Sequence, residues 1–394
     1  ACQATISETD LDVEFSVLRR QPQILVHSTN RRRNLKPAVT RYRDTVRQNG
    51  EHIDKYRGKI LGLAVDIGTT TVAMNLVDLE NGDGLYTSSF ENPQRFGGSD
   101  LMHRITYDGG PYHGELRKVL LAAINFEIGD MVRTLGLHRR QIYDVVVVGN
   151  TTMRDIFFGL DVQSIGQKPY KSITELEYEK ELRNTTSIDL LASQMGLRVF
   201  PLARVYSGPI ISCHIGSDVA AGLLSVGMDE KEEVTMLIDV GTNTEVVIGN
   251  RHAMMAASCP AGPAFEGGQV TYAMPGYEGA VESVTLIDGR SVFTTIGNRP
   301  PQGICGSGLV DLLAELRRND LMSELGVLDK GSDSFCFAPD TDMTLNRSDI
   351  SVLAQAKSAN YAGQFIVMRN YGVSPEQVSS LYLAGGFANY INVT

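Results

Sequence analysis

The chain has 394 residues, room for two or three domains of roughly 100–200 residues each. Its hydrophobic content of 42% and charged content of 21% are those of a globular protein, and no apolar run approaches the ~18 residues that cross a bilayer, so no membrane partner is expected. The net charge of −10 divides into +4 over residues 1–58 and −14 over the rest; a body so acidic repels a polyanion, which argues against nucleic acid as the partner of the arginines between Phe15 and Arg47.

Taken in chain order, Val13–Leu18 and Gln23–Val26 read as strands. Asn30–Gly58 is polar, basic and poor in core residues, as in an arm or linker, so residues 1–58 are set apart from a compact domain beginning near Lys59. The apolar run Ile60–Val65 ends in Asp66-Ile67-Gly68-Thr69-Thr70-Thr71 and returns through Val72–Leu79, a strand, a tip and a second strand. Gln94–Gly110 is Gly-rich and expected to be irregular. Leu116–Leu135 has helical spacing (Leu120, Leu121, Ile124, Ile128, Met131, Val132).

Val145–Val148 is a short, wholly apolar strand, the type found in the middle of a sheet covered on both faces. It runs into Gly149-Asn150-Thr151-Thr152 and a helix. In open α/β sheets sites gather at such strand ends. After the polar stretch Gly166–Ser193, Gly216-Ser217-Asp218 opens a small-residue helix. A second copy of the strand–tip–strand pattern follows, Val234–Ile238 leading into Asp239-Val240-Gly241-Thr242-Asn243-Thr244 and Glu245–Ile248, 173 positions after the first. Then come a Gly- and Pro-shaped loop from Ala256 to Gly268, a turn and helix at Gly303–Asp311, a long helix over Arg347–Tyr371, and the strand Ser380–Ala384 ending at Gly385-Gly386-Phe387.

Each tip combines backbone N–H groups around a glycine, hydroxyls, and an aspartate able to hold Mg²⁺ through water, which is what a phosphate with its counter-cation requires. Gly385-Gly386 would let a flat adenine or ribose lie against bare backbone. No G-x-x-x-x-G-K-S/T is present, so a Walker-type site is excluded, and no G-x-G-x-x-G stands between a strand and a helix. The five cysteines, Cys2, Cys213, Cys259, Cys305 and Cys336, are scattered and lack C-x-x-C spacing; this points to a reducing, cytoplasmic compartment and against a metal site closed within the chain.

The order hairpin, central strand, small-residue helix, hairpin, strand-Gly-Gly resembles the superfamily of acetate and sugar kinases, heat-shock chaperone ATPases and actin. That resemblance implies an α/β, two-lobed actin-like ATPase with ribonuclease H-like lobes, over residues 59–228 and 229–394, binding ATP with Mg²⁺ in the cleft between them. The helix that should follow the adenosine motif is expected to be truncated. A narrower resemblance rests on Val65–Val72, Val148–Met153, Ala261–Gly268, Ile304–Gly308 and Leu383–Phe387, which together look like the reductive activators of corrinoid proteins, including the activating enzymes of O-demethylases. Such activators commonly carry an N-terminal ferredoxin domain, and by that resemblance Cys2 would be the fourth ligand of a 2Fe-2S cluster whose other ligands lie outside this chain.

The resemblance implies ATP-dependent return of a corrinoid methyl-carrier protein from Co(II) to Co(I), with a separate electron donor as second partner and a homodimer left open. Asp66 and Asp239 would place Mg²⁺ and the attacking water, with Asp218 assisting the metal and Glu245 orienting water. Gly68, Thr69, Thr70, Thr71, Asn150, Gly241, Thr242, Asn243 and Thr244 would hold the phosphates, and Gly385 and Gly386 the nucleoside. Ser258, in its loop with Cys259, would reach toward the partner's cobalt. Two other readings share the fold: a small-molecule kinase, which would need a carboxylate base in a polar substrate pocket, and a nucleotide-switched binding protein without a redox role.

Overall fold

The computed structural model describes residues 36–260, 262–266, 268–329 and 332–386. The two strands expected before Val26, Cys2, Ala261, Gly267 and Phe387 lie outside the described residues.

The stretch expected to be a linker contains a three-stranded antiparallel meander, β1 (Val39–Tyr42), β2 (Thr45–Gln48) and β3 (Glu51–Lys55). Few apolar residues suffice, because alternation in a strand puts every second side chain on one face. Val39 and Val46 are buried, and Ile53 and Tyr56 pack with them on the core of the first lobe. Tyr143 donates its hydroxyl to Asp54 at 3.0 Å, and Gln141 donates to the Arg57 carbonyl at 2.6 Å, fastening the meander to the body.

The first lobe is built on β4 (Leu61–Ile67), β5 (Thr71–Asp78), β6 (Gly84–Glu91), β7 (Ile142–Gly149), β8 (Ile188–Leu191) and β9 (Arg204–Ser207), in the spatial order β6-β5-β4-β7-β9-β8. β4 pairs antiparallel with β5 and parallel with β7, so Ile67 faces both Val72 and Gly149, and the first hairpin tip and the end of β7 reach the same level. β7 is internal as expected, but Val146 remains 39% exposed, so one face is only partly covered.

Gln94–Gly110 is not irregular. It holds a 3₁₀ turn at Pro93–Gly97, capped by Asn92, and helix α1 (Leu101–Asp108), whose N-cap Asp100 accepts from the His103 N–H. The capping side chains supply the order that the glycines obscure. Helix α2 (Glu115–Thr134) forms where its spacing predicts: Leu116, Leu120, Ile124, Ile128 and Met131 are at most 1% exposed, each contributing roughly 1.5–3 kcal/mol by burial. Then come α3 (Thr151–Phe158), the short α4 (Gln163–Gly166), α5 (Ile173–Glu179), α6 (Ala192–Met195) and the small-residue helix α7 (Ser217–Val226).

In the second lobe β10 (Thr235–Val240), β11 (Thr244–Gly249) and β12 (Met254–Cys259) run antiparallel. β13 (Ala280–Ile287), β14 (Arg290–Thr295) and β15 (Gly303–Ile304) make a separate three-stranded sheet on which α8 (Gly306–Arg318) packs, and β16 (Ser334–Ala338) pairs with β17 (Met343–Asn346). Helix α9 (Arg347–Tyr371) and strand β18 (Ser380–Ala384) occupy the residues their patterns predict. β18 joins parallel to β10 and sets Ala384 beside Asp239. Helix α7 covers one face of this sheet through Val219, Leu237 and Val247, and α9 covers the other through Val246 and Val367. Among the described residues no helix is long and apolar enough to cross a membrane.

Candidate functional site

Register determines which side chains face the cleft. Asp239 lies opposite Glu245 on β11, and Glu245 lies opposite Ser258 on β12, so the three form one row across the sheet on the face that α7 covers. The Ser258 hydroxyl donates to the Glu245 carboxylate at 2.9 Å. Asp218, in the first turn of α7, completes the group from above; it is not the N-cap, which is Gly216. Asp66 approaches from the other lobe at the end of β4.

These residues enclose a cavity of about 200 Å³. Asp66, Gly68, Thr69, Thr70, Thr71, Asn150, Asp218, Asp239, Gly241, Thr242, Asn243, Glu245, Gly385 and Gly386 all line it. The two hairpin tips meet across it, with the Thr70 and Thr242 hydroxyls 3.4 Å apart. Asn150 donates to the Thr69 hydroxyl at 3.1 Å while its oxygen caps α3, so the end of β7 fixes the first tip.

Two glycines permit the close approaches this requires. A Cβ on Gly216 would stand 2.2 Å from the Gly149 carbonyl oxygen, so only glycine lets α7 begin against the end of β7. Gly385 has φ +102° and room for no side chain, since a Cβ would stand 2.1 Å from the Val240 carbonyl oxygen.

The electrostatics are those of crowded acids. Crowding by surrounding protein, then the neighbouring charges of Asp218 and Asp239, push Asp66 up to about 8, although the residue itself is exposed to solvent, which opposes the rise. Burial followed by Asp218 and Asp239 likewise raises Glu245 to about 8 against the opposing effect of the Ser258 bond. Burial raises Asp218 to about 7, with Asp239 adding to it. Four carboxylates line one cavity, an arrangement whose electrostatic complement is a divalent ion. Among the described residues no three His, Cys, Asp or Glu side chains converge closely enough to ligate a metal directly. An all-carboxylate donor set is of the chemistry that suits Mg²⁺, which keeps several of its waters when bound.

Thr244 and the Ser258-Cys259 segment are placed differently from expectation. Thr244 is fully buried, and among the described residues its hydroxyl has no partner, so it does not face the phosphate space. Strand alternation is the reason: Glu245 faces the cleft and its neighbour faces away. Ser258 and Cys259 lie on β12 rather than in a free loop, because the ladder to β11 continues to its end; Cys259 is buried, its sulfur against Gly363 of α9. Cys2 lies outside the described residues.

Other contributors were not singled out from sequence. Phe265, Pro275 and Gly276 give the cavity an apolar wall, and Gly306 presents the start of α8. Asn92, buried beneath the first hairpin, donates to the Gly68 carbonyl at 2.8 Å and receives no local sequence signal. Gly306 lies within the glycine motif already noted, which could have located it.

Two lobes, each a sheet with a hairpin tip aimed at a shared acidic cleft, are the arrangement of the actin and sugar-kinase fold. Family comparisons agree: the model described as the RACo middle region matches residues 61–231, and the model described as the C-terminal domain of RACo, the ASKHA domain, matches residues 233–394. The chain belongs to this family, the reductive activators of corrinoid proteins.

It is similar to the corrinoid activation enzyme RamQ of Eubacterium limosum, 31% identical over 361 residues, covering 85% of this chain and 59% of that protein. It is also similar to the Co(II) methylated amine-specific corrinoid protein reductase of Methanosarcina barkeri, 21% identical over 356 residues, 84% of this chain and 64% of that one. A solved structure of a reductive activator for corrinoid, iron-sulfur protein superimposes with a TM-score of 0.77 at 33% identity over 90% of this chain and 58% of that chain. The chain thus spans about three-fifths of the length of these relatives.

Proposed function

We propose that this chain is the nucleotide-driven part of an ATP-dependent activator that returns a corrinoid protein from inactive Co(II) to Co(I). The observation that carries the ATP reading is the meeting of Thr70 and Thr242 across a floor of four carboxylates, with relatives named as corrinoid activators or reductases giving the reaction. Thr69, Thr70 and Thr71 on one tip and Gly241, Thr242 and Asn243 on the other would bind the phosphates through N–H and hydroxyl groups. Gly385 and Gly386 would take the nucleoside, with Phe265 and Pro275 excluding water beside it.

Asp66 and Asp239, assisted by Asp218, would hold Mg²⁺ through water, and the ion would supply positive charge against the phosphates. Glu245, raised to about 8 and oriented by Ser258, is suited to position the attacking water and to accept its proton near neutral pH. Ser258 stays at the cleft and supports Glu245 in this reading; a direct approach to the partner's cobalt is not needed.

The reduction takes one electron from a donor outside the described residues. ATP can favour it only by binding one lobe arrangement better than another. Phosphates bridging two tips on different lobes supply that difference, and hydrolysis removes it.

The test uses the intact protein with a Co(II) corrinoid methyl carrier and a mild reductant, without oxygen. Growth of the Co(I) absorbance band should require Mg-ATP and be lost in Asp239→Ala. Clear ATP binding without any Co(I) signal, across several corrinoid carriers, would remove the redox reading and leave a nucleotide switch.

A further inference from the structure

Among the described residues two arginines are at most 1% exposed, and only one of them has a counter-charge. Arg154, in α3, is matched by Asp155 at 2.7 Å. Arg104, in α1, forms no ion pair with any described residue. A surface arginine needs no partner, because water solvates it. A buried one gives up that water and is normally paired.

Neutral groups hold Arg104 instead. Its Nε donates to the Gly98 carbonyl at 3.0 Å and its Nη1 to the Met153 sulfur, a weak acceptor, at 3.2 Å. Asp100, the N-cap of the same helix, is engaged by His103, through the backbone N–H at 3.0 Å and the ring at 2.6 Å. Burial pulls the guanidinium down to about 10, opposed by Asp100 and reinforced by Arg95, so at neutral pH it remains a cation.

That cation stands beneath the first hairpin tip. The Met153 sulfur also meets the Asn92 amide at 3.8 Å, and the same amide donates to the Gly68 carbonyl at 2.8 Å. Three successive contacts of 3.2, 3.8 and 2.8 Å put the guanidinium no more than about 10 Å from the tip. Asn92 and Met153 are themselves buried, so little water screens that path. The cleft has need of the charge: its described lining residues include four carboxylates and no lysine, arginine or histidine.

We propose that Arg104 is a specificity-determining residue for the nucleotide, its buried and unmatched charge acting through the first tip on the phosphates to favour the triphosphate over the diphosphate. The inference rests on the reading of the cleft as an ATP site. The anion that Arg104 lacks within the chain arrives with the ligand. Each unit of ligand charge about 12 Å away, at an effective dielectric of about 20–40, is worth roughly three- to tenfold in affinity.

The test is calorimetric titration of the full chain with ADP and with a non-hydrolysable ATP analogue, both at saturating Mg²⁺, in the wild type, Arg104→Gln and Arg104→Lys. Glutamine keeps a donor for the Gly98 carbonyl and removes the charge; lysine keeps the charge and gives up the planar guanidinium. The ratio of the two affinities should fall about three- to tenfold in Arg104→Gln and stay within about twofold of the wild type in Arg104→Lys. Thermal melting records whether each variant folds. Where Arg104→Gln does not, Arg104→Met, which sets an apolar chain of similar length beside Met153, takes its place with the same expectation.

An unchanged ratio in the neutral variant overturns the proposal. So does a ratio lost in Arg104→Lys but kept in Arg104→Gln, which would reduce Arg104 to a support for Gly98. A wild-type chain that binds neither nucleotide overturns the reading of the cleft itself, and the proposal with it.

Discussion

Replacing Glu245 by Gln should stabilise the nucleotide-free protein, and increasingly so as pH rises. The substitution preserves shape and leaves an oxygen to accept from Ser258, but removes one of four crowded acids. Below its ordinary value of 4.5 the carboxyl is neutral in both the folded and unfolded chains, so the substitution changes little. Between 4.5 and about 8 the unfolded chain ionises while the folded one resists, and the wild type loses stability with rising pH until the folded group also ionises.

One pKa unit corresponds to about 1.4 kcal/mol, so the full displacement bounds the effect at about 5 kcal/mol. Burial is the largest cause of that rise and the charges of Asp218 and Asp239 the next, and a buried amide still gives up water of its own, so the substitution should realise about 2 kcal/mol of it. Urea denaturation at pH 5.5 and pH 8.5 without Mg²⁺ measures it. The gap in favour of the variant should widen between the two, and adding Mg²⁺ should narrow it at the higher pH. A variant less stable than wild type at pH 8.5, or a gap that does not grow, would refute the crowded-acid account.

Other outcomes follow from packing. Gly385→Ala places a side chain at positive φ against the Val240 carbonyl; it should cost more than about 1 kcal/mol in thermal unfolding and weaken ATP binding, and unchanged binding would remove the Gly385-Gly386 pair from the site. Arg154 and Asp155 form a wholly buried ion pair at 2.7 Å, with Arg154 also donating to the Thr186 carbonyl and Thr174. Arg154→Met strands the carboxylate and should cost about 3–5 kcal/mol, partly restored by adding Asp155→Leu; calorimetric melting of the single and double variants tests this.

What could be read in the sequence was local. The two hairpin tips, the end of β7 and the glycine pair after β18 are each written in consecutive residues, and α2, α9 and β18 carry unbroken periodicities, so their placement followed from pattern alone. The facing of Thr244 and Ser258 was not legible, because it depends on the register of β11 against β10 and β12, which no short segment specifies. Asn92 escaped for a similar reason: its role is to hold Gly68, 24 positions away, from beneath. The β1–β3 meander escaped because its apolar positions are sparse and its composition resembles a linker.

The central claim is that the two hairpin tips clasp one Mg-ATP. Calorimetric titration of this chain with a non-hydrolysable ATP analogue, with and without Mg²⁺, tests it most directly. The account predicts one site per chain whose affinity depends on Mg²⁺ and falls at least about tenfold in Asp66→Asn and in Asp239→Asn alike, since Asp66 from one lobe and Asp239 from the other would both hold the metal. Binding that ignores Mg²⁺, or that only one of the two substitutions weakens, would contradict it.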